Sequence, residues 1–173
     1  MSIYKHLSCE LEVWLLKVLI LYGSKHGCTA KCAYLLRDKL GNADVMDVSQ
    51  STSVALDDYD AVVVGTPVYV GQINKAVSRF CNANLTALQE KRIGLFVCCG
   101  LPEKAMEQLE TGFPRELVQA ARVKAYFGYQ YEINRLNFFE KALMRLLGKH
   151  RDEGDIRHAV IEDFARSLTG SCH

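Results

Sequence analysis

Short, uninterrupted apolar runs alternate along this chain with longer segments in which apolar residues return every third or fourth position. The run KVLILY (17–22) is rich in β-formers and stops at a turn signal, which predicts a fully buried strand. The pattern then changes. Cys28, Cys32, Leu36 and Leu40 recur every fourth residue while Lys31, Arg37 and Lys39 can face water, which predicts an amphipathic helix over 28–40. GNADVMDV (41–48) supplies a glycine stop and a second short strand. DDYDAVVVGTPVYVG (57–71) reads as a polar approach, a third buried strand at 61–65 and a loop at its carboxyl end. INKAVSRFCNANL (73–85) has helical periodicity, and RIGLFVCCG (92–100) is a fourth buried strand followed by a third loop. Residues 102–121 predict one or two helices broken near Gly112 and Pro114. RVKAYFGYQYE (122–132) predicts a fifth strand, and HAVIEDFARSLTG (158–170) a closing helix.

Strands that alternate with helices, each strand continuously apolar, predict an α/β fold with a five-stranded parallel sheet covered on both faces, a doubly wound sandwich. Ligands of such open sheets sit beyond the carboxyl ends of the strands, at the point where the strand order reverses. The loops after the first, third and fourth strands therefore belong to one expected site.

Composition changes this picture little. The 173 residues suit one domain with a substantial core, and no repeat, low-complexity tract or composition break divides them. A net charge of +1 and an ordinary charged fraction of 24% give no reason to expect nucleic acid as a partner. The longest apolar stretch, LEVWLLKVLILYG (11–23), is cut by Lys17 and too short for a membrane span. It also lacks a small-residue cleavage site. Seven cysteines without a disulfide-scaffold spacing fit a reducing compartment, so a cytoplasmic location is expected.

The first loop, LYGSKHGCT (21–29), carries the chemistry. A P-loop needs lysine and a hydroxyl residue after its last glycine, yet Cys28 follows Gly27. A dinucleotide fingerprint needs three spaced glycines, and this loop offers Gly23 and Gly27 only. Asp47 does stand about where a ribose-binding acid would fall, which keeps that reading as a lesser alternative. A receiver domain would carry aspartate where Gly65 and Thr66 stand, and no cysteine has the arginine six residues on that a phosphatase loop requires. What remains is Ser24, Lys25, His26, Gly27, Cys28 and Thr29 opening a helix. Amide N–H groups and flanking hydroxyls at a helix N-terminus suit a single phosphate dianion.

Those residues, together with GTPVYVG after the third strand, resemble the flavodoxin superfamily. The likeness extends through YDAVVVGTPVYVGQINKAVSRF (59–80) and the tail EINRLNFFEKALMRLLGKHRDEGDIRHAVIEDFARSL (132–168), covering roughly residues 17–168. It is greatest toward menaquinone-dependent protoporphyrinogen dehydrogenases and their unassigned relatives. The resemblance implies FMN as cofactor, with its phosphate in the first loop. It implies the flavin ring between Thr66, Pro67, Val68, Tyr69 and Gly71 on one side and Cys98, Cys99 and Gly100 on the other. It also implies an oxidoreductase of heme biosynthesis with quinone as acceptor. Lys75 and Arg79, one turn apart, are the candidate cations for porphyrinogen carboxylates. No catalytic acid or base stands out.

Each of these features has a plainer reading beside it. Tyr69 is a flavin-stacking ring or a packed surface tyrosine. Cys98 and Cys99 are flavin-contacting thiols or small apolar residues at a strand end, and the second reading is preferred. Cys28 and Cys32 are taken as core-facing, not as a redox pair. The histidines are scattered and no metal-ligand spacing is seen, so no metal is expected. The segment 135–151 places Leu136, Phe139, Leu143 and Leu147 on one helical face among basic residues. It reads as a cover for the sheet, with peripheral docking at the inner membrane face, where quinone resides, as the alternative. Residues 1–16 fall outside the resemblance, and Leu16 stands where relatives begin, which suggests a start there. Two alternatives to an enzyme are an electron carrier without its own substrate and a flavin-free interaction module. The near-neutral charge disfavours the carrier, since such carriers are strongly acidic.

Overall fold

The computed structural model describes residues 16–50, 54–131 and 153–170. The N-terminal extension and the basic helix expected over 135–151 lie outside them.

Strand β1 (Val18–Tyr22) lies inside the sheet with all its residues buried. Helix α1 (Cys28–Leu40) follows, stops at Gly41, and returns to β2 (Ala43–Asp47) at one edge. The chain then crosses to β3 (Ala61–Tyr69), which pairs with β1 on its other side. A hairpin turn at Val70 and Gly71 leads into β4 (Gln72–Ile73), antiparallel to the end of β3. Next come α2 (Lys75–Ala83), α3 (Leu85–Gln89), β5 (Arg92–Cys98), α4 (Ala105–Gly112), α5 (Arg115–Ala120) and β6 (Ala121–Tyr126). A two-stranded antiparallel hairpin of β7 (Gly128–Tyr131) and β8 (Glu153–Ile156) precedes the closing helix α6 (His158–Thr169).

The main sheet runs β2-β1-β3-β5-β6, every neighbour in that order parallel. Both faces are covered, as continuous apolar strands require. One core holds Leu19, Leu21, Val62, Val64, Leu95 and Val97 against α2 to α5. The other holds Val18, Ile20, Val63 and Phe96 against α1 and α6. Successive residues of one strand serve opposite cores, as the two-residue period dictates. Because β1 leads outward to β2 and β3 leads the other way, the order reverses between β1 and β3. The crevice at their carboxyl ends is the topological switch point.

Two elements differ from their sequence expectation. The third strand continues past Gly65 to Tyr69, because β4 folds back and pairs with Val68 and Tyr69. The segment GTPVYVG is thus mostly strand. The expected fifth strand divides at Phe127, whose N–H donates to Val97 O at 3.0 Å and whose ring enters the core. Gly128 then takes a φ of 96°, which turns the chain out of the sheet into β7. The break near Gly112 and Pro114 falls between α4 and α5, as the sequence indicates.

Candidate functional site

The first loop is built around close approaches of backbone to backbone. Gly23 is buried and its N–H donates to Gly65 O at 3.1 Å, and a side chain there would collide with Asn74 and Val77. Ser24 Oγ accepts from Gly27 N–H at 3.0 Å, closing the loop on itself. Gly27 caps α1 with a φ of 93°, which glycine alone adopts without strain. The helix ladder begins with Lys31 N–H donating to Gly27 O, so the N–H groups of the first turn lie outside it. With them comes the partial positive charge of a helix N-terminus.

Opposite the loop stands the β3–β4 hairpin. Beyond Gly65 strand β3 has no β1 partner, so Pro67, paired with Cys98 of β5, costs no ladder bond on the β1 side. Tyr69 lies edge-on to His26, with ring centroids 5.6 Å apart, and Lys25 Nζ sits 5.5 Å from the Tyr69 ring. Thr66 is fully buried, and its Oγ1 accepts from Asn74 N–H at 3.0 Å. Asn74 in turn caps α2, its side-chain oxygen accepting from Ala76 N–H at 2.8 Å.

Ser24, His26, Cys28 and Thr29 line one wall of the resulting cleft, and Pro67, Val68 and Tyr69 the second. Cys98 and Cys99 lie at its floor, and Tyr129 and Gln130 of β7 form a third wall. The sequence-derived set is therefore largely brought together, with five exceptions. Lys25 reaches over Tyr69 from outside, Gly27 caps the helix from behind, and Gly100 stands beyond the floor. Thr66 is turned inward as a hairpin pin. Gly71 lies on the exposed turn and lines a second groove with Lys75 and Arg79 instead. Tyr129 and Gln130 were missed, because they sat inside what reads as a continuing strand. The usable signal was Gly128, followed by the polar Gln130 between two tyrosines.

The cleft holds a buried polar group that the fold leaves unsatisfied. Thr29 Oγ1, on a residue 1% exposed, makes no hydrogen bond. Leaving such a hydroxyl without a partner costs about 1–3 kcal/mol, so its position in the first helical turn marks a place for an acceptor. The cavity that all these residues line measures about 20 Å³, room for about one water molecule.

The cysteines are distributed in a way the sequence does not suggest. Cys98 and Cys99 alternate across the sheet, so they never form a pair. Cys99 joins the core under α4, its thiol donating to Leu101 O at 3.4 Å. Cys98 points to the opposite face, where its sulfur, those of Cys28 and Cys32, all lie within 4.8 Å of one another. Cys28 is held far below the usual thiol value, at about 4, chiefly by the Cys32 thiol and then the Cys98 thiol. The Gln130 backbone and the Lys31 ammonium add to this, against the opposing effect of burial. Cys32 and Cys98 are pushed up, first by serving as hydrogen-bond partners to Cys28 and then by burial. Lys31 is fixed near the group, its Nζ donating to Gln130 Oε1 at 3.0 Å. Cys28 and Cys32 do face the core, as the helical spacing predicts, and Cys98 meets them there.

Among the described residues no helix is long and apolar enough to cross a membrane. The model of a family described as flavodoxin domain matches residues 19–156. An uncharacterized protein of Methanocaldococcus jannaschii, MJ0298, is 27% identical over 158 residues, 88% of this chain and 98% of its own. Among solved structures, oxidised flavodoxin 1 from Bacillus cereus superposes with a TM-score of 0.53 at 14% identity, covering 91% of this chain and 99% of that one. The apo form of the NADH:FMN oxidoreductase EmoB superposes with a TM-score of 0.54 at 18% identity, covering 88% and 90%. At these identities the likeness is one of fold.

Proposed function

The chain belongs to the flavodoxin domain family, and from that premise we propose that it binds FMN at the switch-point cleft and serves as a flavin-dependent oxidoreductase. The observation that carries this is Thr29 Oγ1, a buried hydroxyl without a partner in the first turn of the helix that follows β1. A phosphate oxygen there satisfies the hydroxyl and meets the first-turn N–H groups. Ser24 holds the loop in shape through Gly27. Cys28, at the first helical position, competes as a thiolate for the same positive potential, so phosphate binding drives it toward the neutral thiol.

The ring end requires movement. A cavity of about 20 Å³ does not admit a three-ring system, so the β3–β4 hairpin carrying Tyr69 must part from β7 carrying Tyr129 and Gln130. Both are hairpins that project beyond the main sheet, which makes them the parts able to yield at least cost. FMN, when bound, supplies one- or two-electron transfer; the chain supplies its position and electrostatic setting.

A finer reading is a porphyrinogen dehydrogenase with quinone as acceptor, and one observation favours it. Exposed Lys75 and Arg79 line a groove of about 500 Å³ on the other side of the β3–β4 hairpin, with Gly71, Ser78 and Thr111. Two cations in a groove of that size suit a large polycarboxylate next to the flavin hairpin. Turnover of porphyrinogen with a menaquinone analogue, lost in Lys75→Ala/Arg79→Ala, supports it. Rapid reduction by a flavodoxin reductase with no such turnover supports the electron carrier instead. A purified chain that is colourless and takes up no FMN leaves the interaction module.

A further inference from the structure

We propose that Cys28, Cys32 and Cys98 form a three-thiolate site for a soft monovalent cation, Cu(I). Two elements bring the donors together. Cys28 and Cys32 stand one helical turn apart on α1, and Cys98 is the last residue of β5, facing the same side of the sheet. Three sulfurs bound at about 2.3 Å to one ion in a plane lie about 4 Å from each other. The three Sγ atoms already lie within 4.8 Å of one another, so shifts of less than an ångström complete the site.

The donor set selects the ion. Among the described residues, no imidazole or carboxylate belongs to the cluster, which disfavours hard cations such as Mg(II) and Ca(II). Structural Zn(II) sites take four protein donors, and here three are grouped. Cu(I) combines a preference for thiolate with stability at three-coordination. The surroundings fit as well. Cys32 and Cys98 are 0% and 4% exposed, so the ion would sit in a dry floor that shields it from oxidation. Cys28 and Cys98 line the cleft, which gives the ion a route in. Three thiolates and one Cu(I) carry a charge of −2, set against the N-terminus of α1 and the Lys31 ammonium anchored to Gln130. The site takes no donor from the flavin, and because phosphate at the same helix turn competes with the Cys28 thiolate, it is the flavin-free chain that loads the ion.

The test uses the full-length, flavin-free, reduced chain, with Cys9→Ser and Cys172→Ser to remove the thiols near the chain ends, titrated anaerobically with Cu(I) bicinchoninate. The expected result is withdrawal of one equivalent of Cu(I), with X-ray absorption showing three sulfur neighbours at about 2.3 Å. Cys28→Ser and Cys32→Ser each lower the affinity by about 100-fold or more. Cys81→Ala, in the opposite core, leaves it unchanged. Cys28 is partly exposed, so its replacement by serine keeps the fold and the test decisive even if Cys32→Ser does not fold. Failure to withdraw Cu(I), equal retention by Cys28→Ser, or binding of Zn(II) in preference to Cu(I) would each overturn the site.

Discussion

On the face covered by α1 and α6, strands β3 and β5 carry Gly65 and Gly94, and aromatic rings fill the dents. Phe96 stacks on Phe127 with centroids 4.3 Å apart, and Phe164 stands edge-on to Phe127 at 5.0 Å. A Cβ on Gly65 would come within 2.0 Å of the tip of the Phe96 ring, and one on Gly94 would press on Phe164. On the other face, aliphatic side chains such as Leu21, Val64, Leu95 and Leu109 form most of the packing. The cysteines divide the same way. Cys81, buried in the opposite core, is pushed up to about 12 by burial. Cys28, grouped with two thiols under the cleft, is held down. The comparison teaches that one sheet gives cysteine two fates: an apolar filler where it is isolated, and a charged group where other thiols and a helix N-terminus converge.

The sharpest way to break this contrast is Gly65→Val. Its side chain has no room beneath Phe96, so unfolding stability falls by about 3 kcal/mol, the upper range for overpacking. Adding Phe96→Leu to that variant should restore part of the loss, since the two sites share one space. Denaturant melts of the single and double variants decide it. Additive losses would contradict the packing account.

Thiol reactivity is next in size. At neutral pH, Cys28 should alkylate at least about 100-fold faster than Cys81, as read by peptide mass spectrometry. Because the Cys28 value is depressed, the thiolate persists as pH falls, and its alkylation rate should stay level from pH 8 to 6 and decline only toward about 4. A rate that climbs about tenfold per pH unit through neutrality, as for an ordinary thiol, would contradict this. Added FMN should slow the reaction at Cys28 and leave Cys81 unaffected.

Thr29→Val keeps the shape of the first turn and removes its hydroxyl. It should weaken FMN binding by about 30-fold, near 2 kcal/mol for a hydrogen bond to a charged group, while leaving stability level or slightly raised. Calorimetric titration beside a thermal melt separates the two. Asn74→Ala removes the cap of α2, and with it about 1 kcal/mol of stability. The smallest expected effect has the opposite sign. Val70 holds a φ of 50° at the exposed hairpin tip, a strained state for a β-branched residue. Val70→Asn should therefore stabilise by about 0.5 kcal/mol.

Much of this was legible beforehand, for identifiable reasons. Continuous apolar runs such as VLILY and AVVV read as doubly covered strands because nothing in a parallel sheet faces water. The geometry of the first loop was legible because it is local, set by Ser24, Gly27 and Thr29 within one turn. The β7–β8 hairpin was not, since β7 pairs with a segment more than twenty positions away and its own residues look like more of β6. Nor was the thiol cluster. The one-turn spacing of Cys28 and Cys32 is visible, but Cys98 reaches them only through the placement of β5 beside β3. Gly65 and Gly94 were clues in plain view, as glycine inside a buried strand marks a close approach.

The central claim is that the first turn of α1 grips a phosphate, and comparing FMN with riboflavin by fluorescence quenching tests it most directly. The two ligands share the ring and the ribityl chain and differ only in the phosphate. FMN should bind one to one and at least about tenfold more tightly than riboflavin, a difference of about 1.4 kcal/mol or more. No uptake of FMN, or equal affinity for the two, would contradict the account.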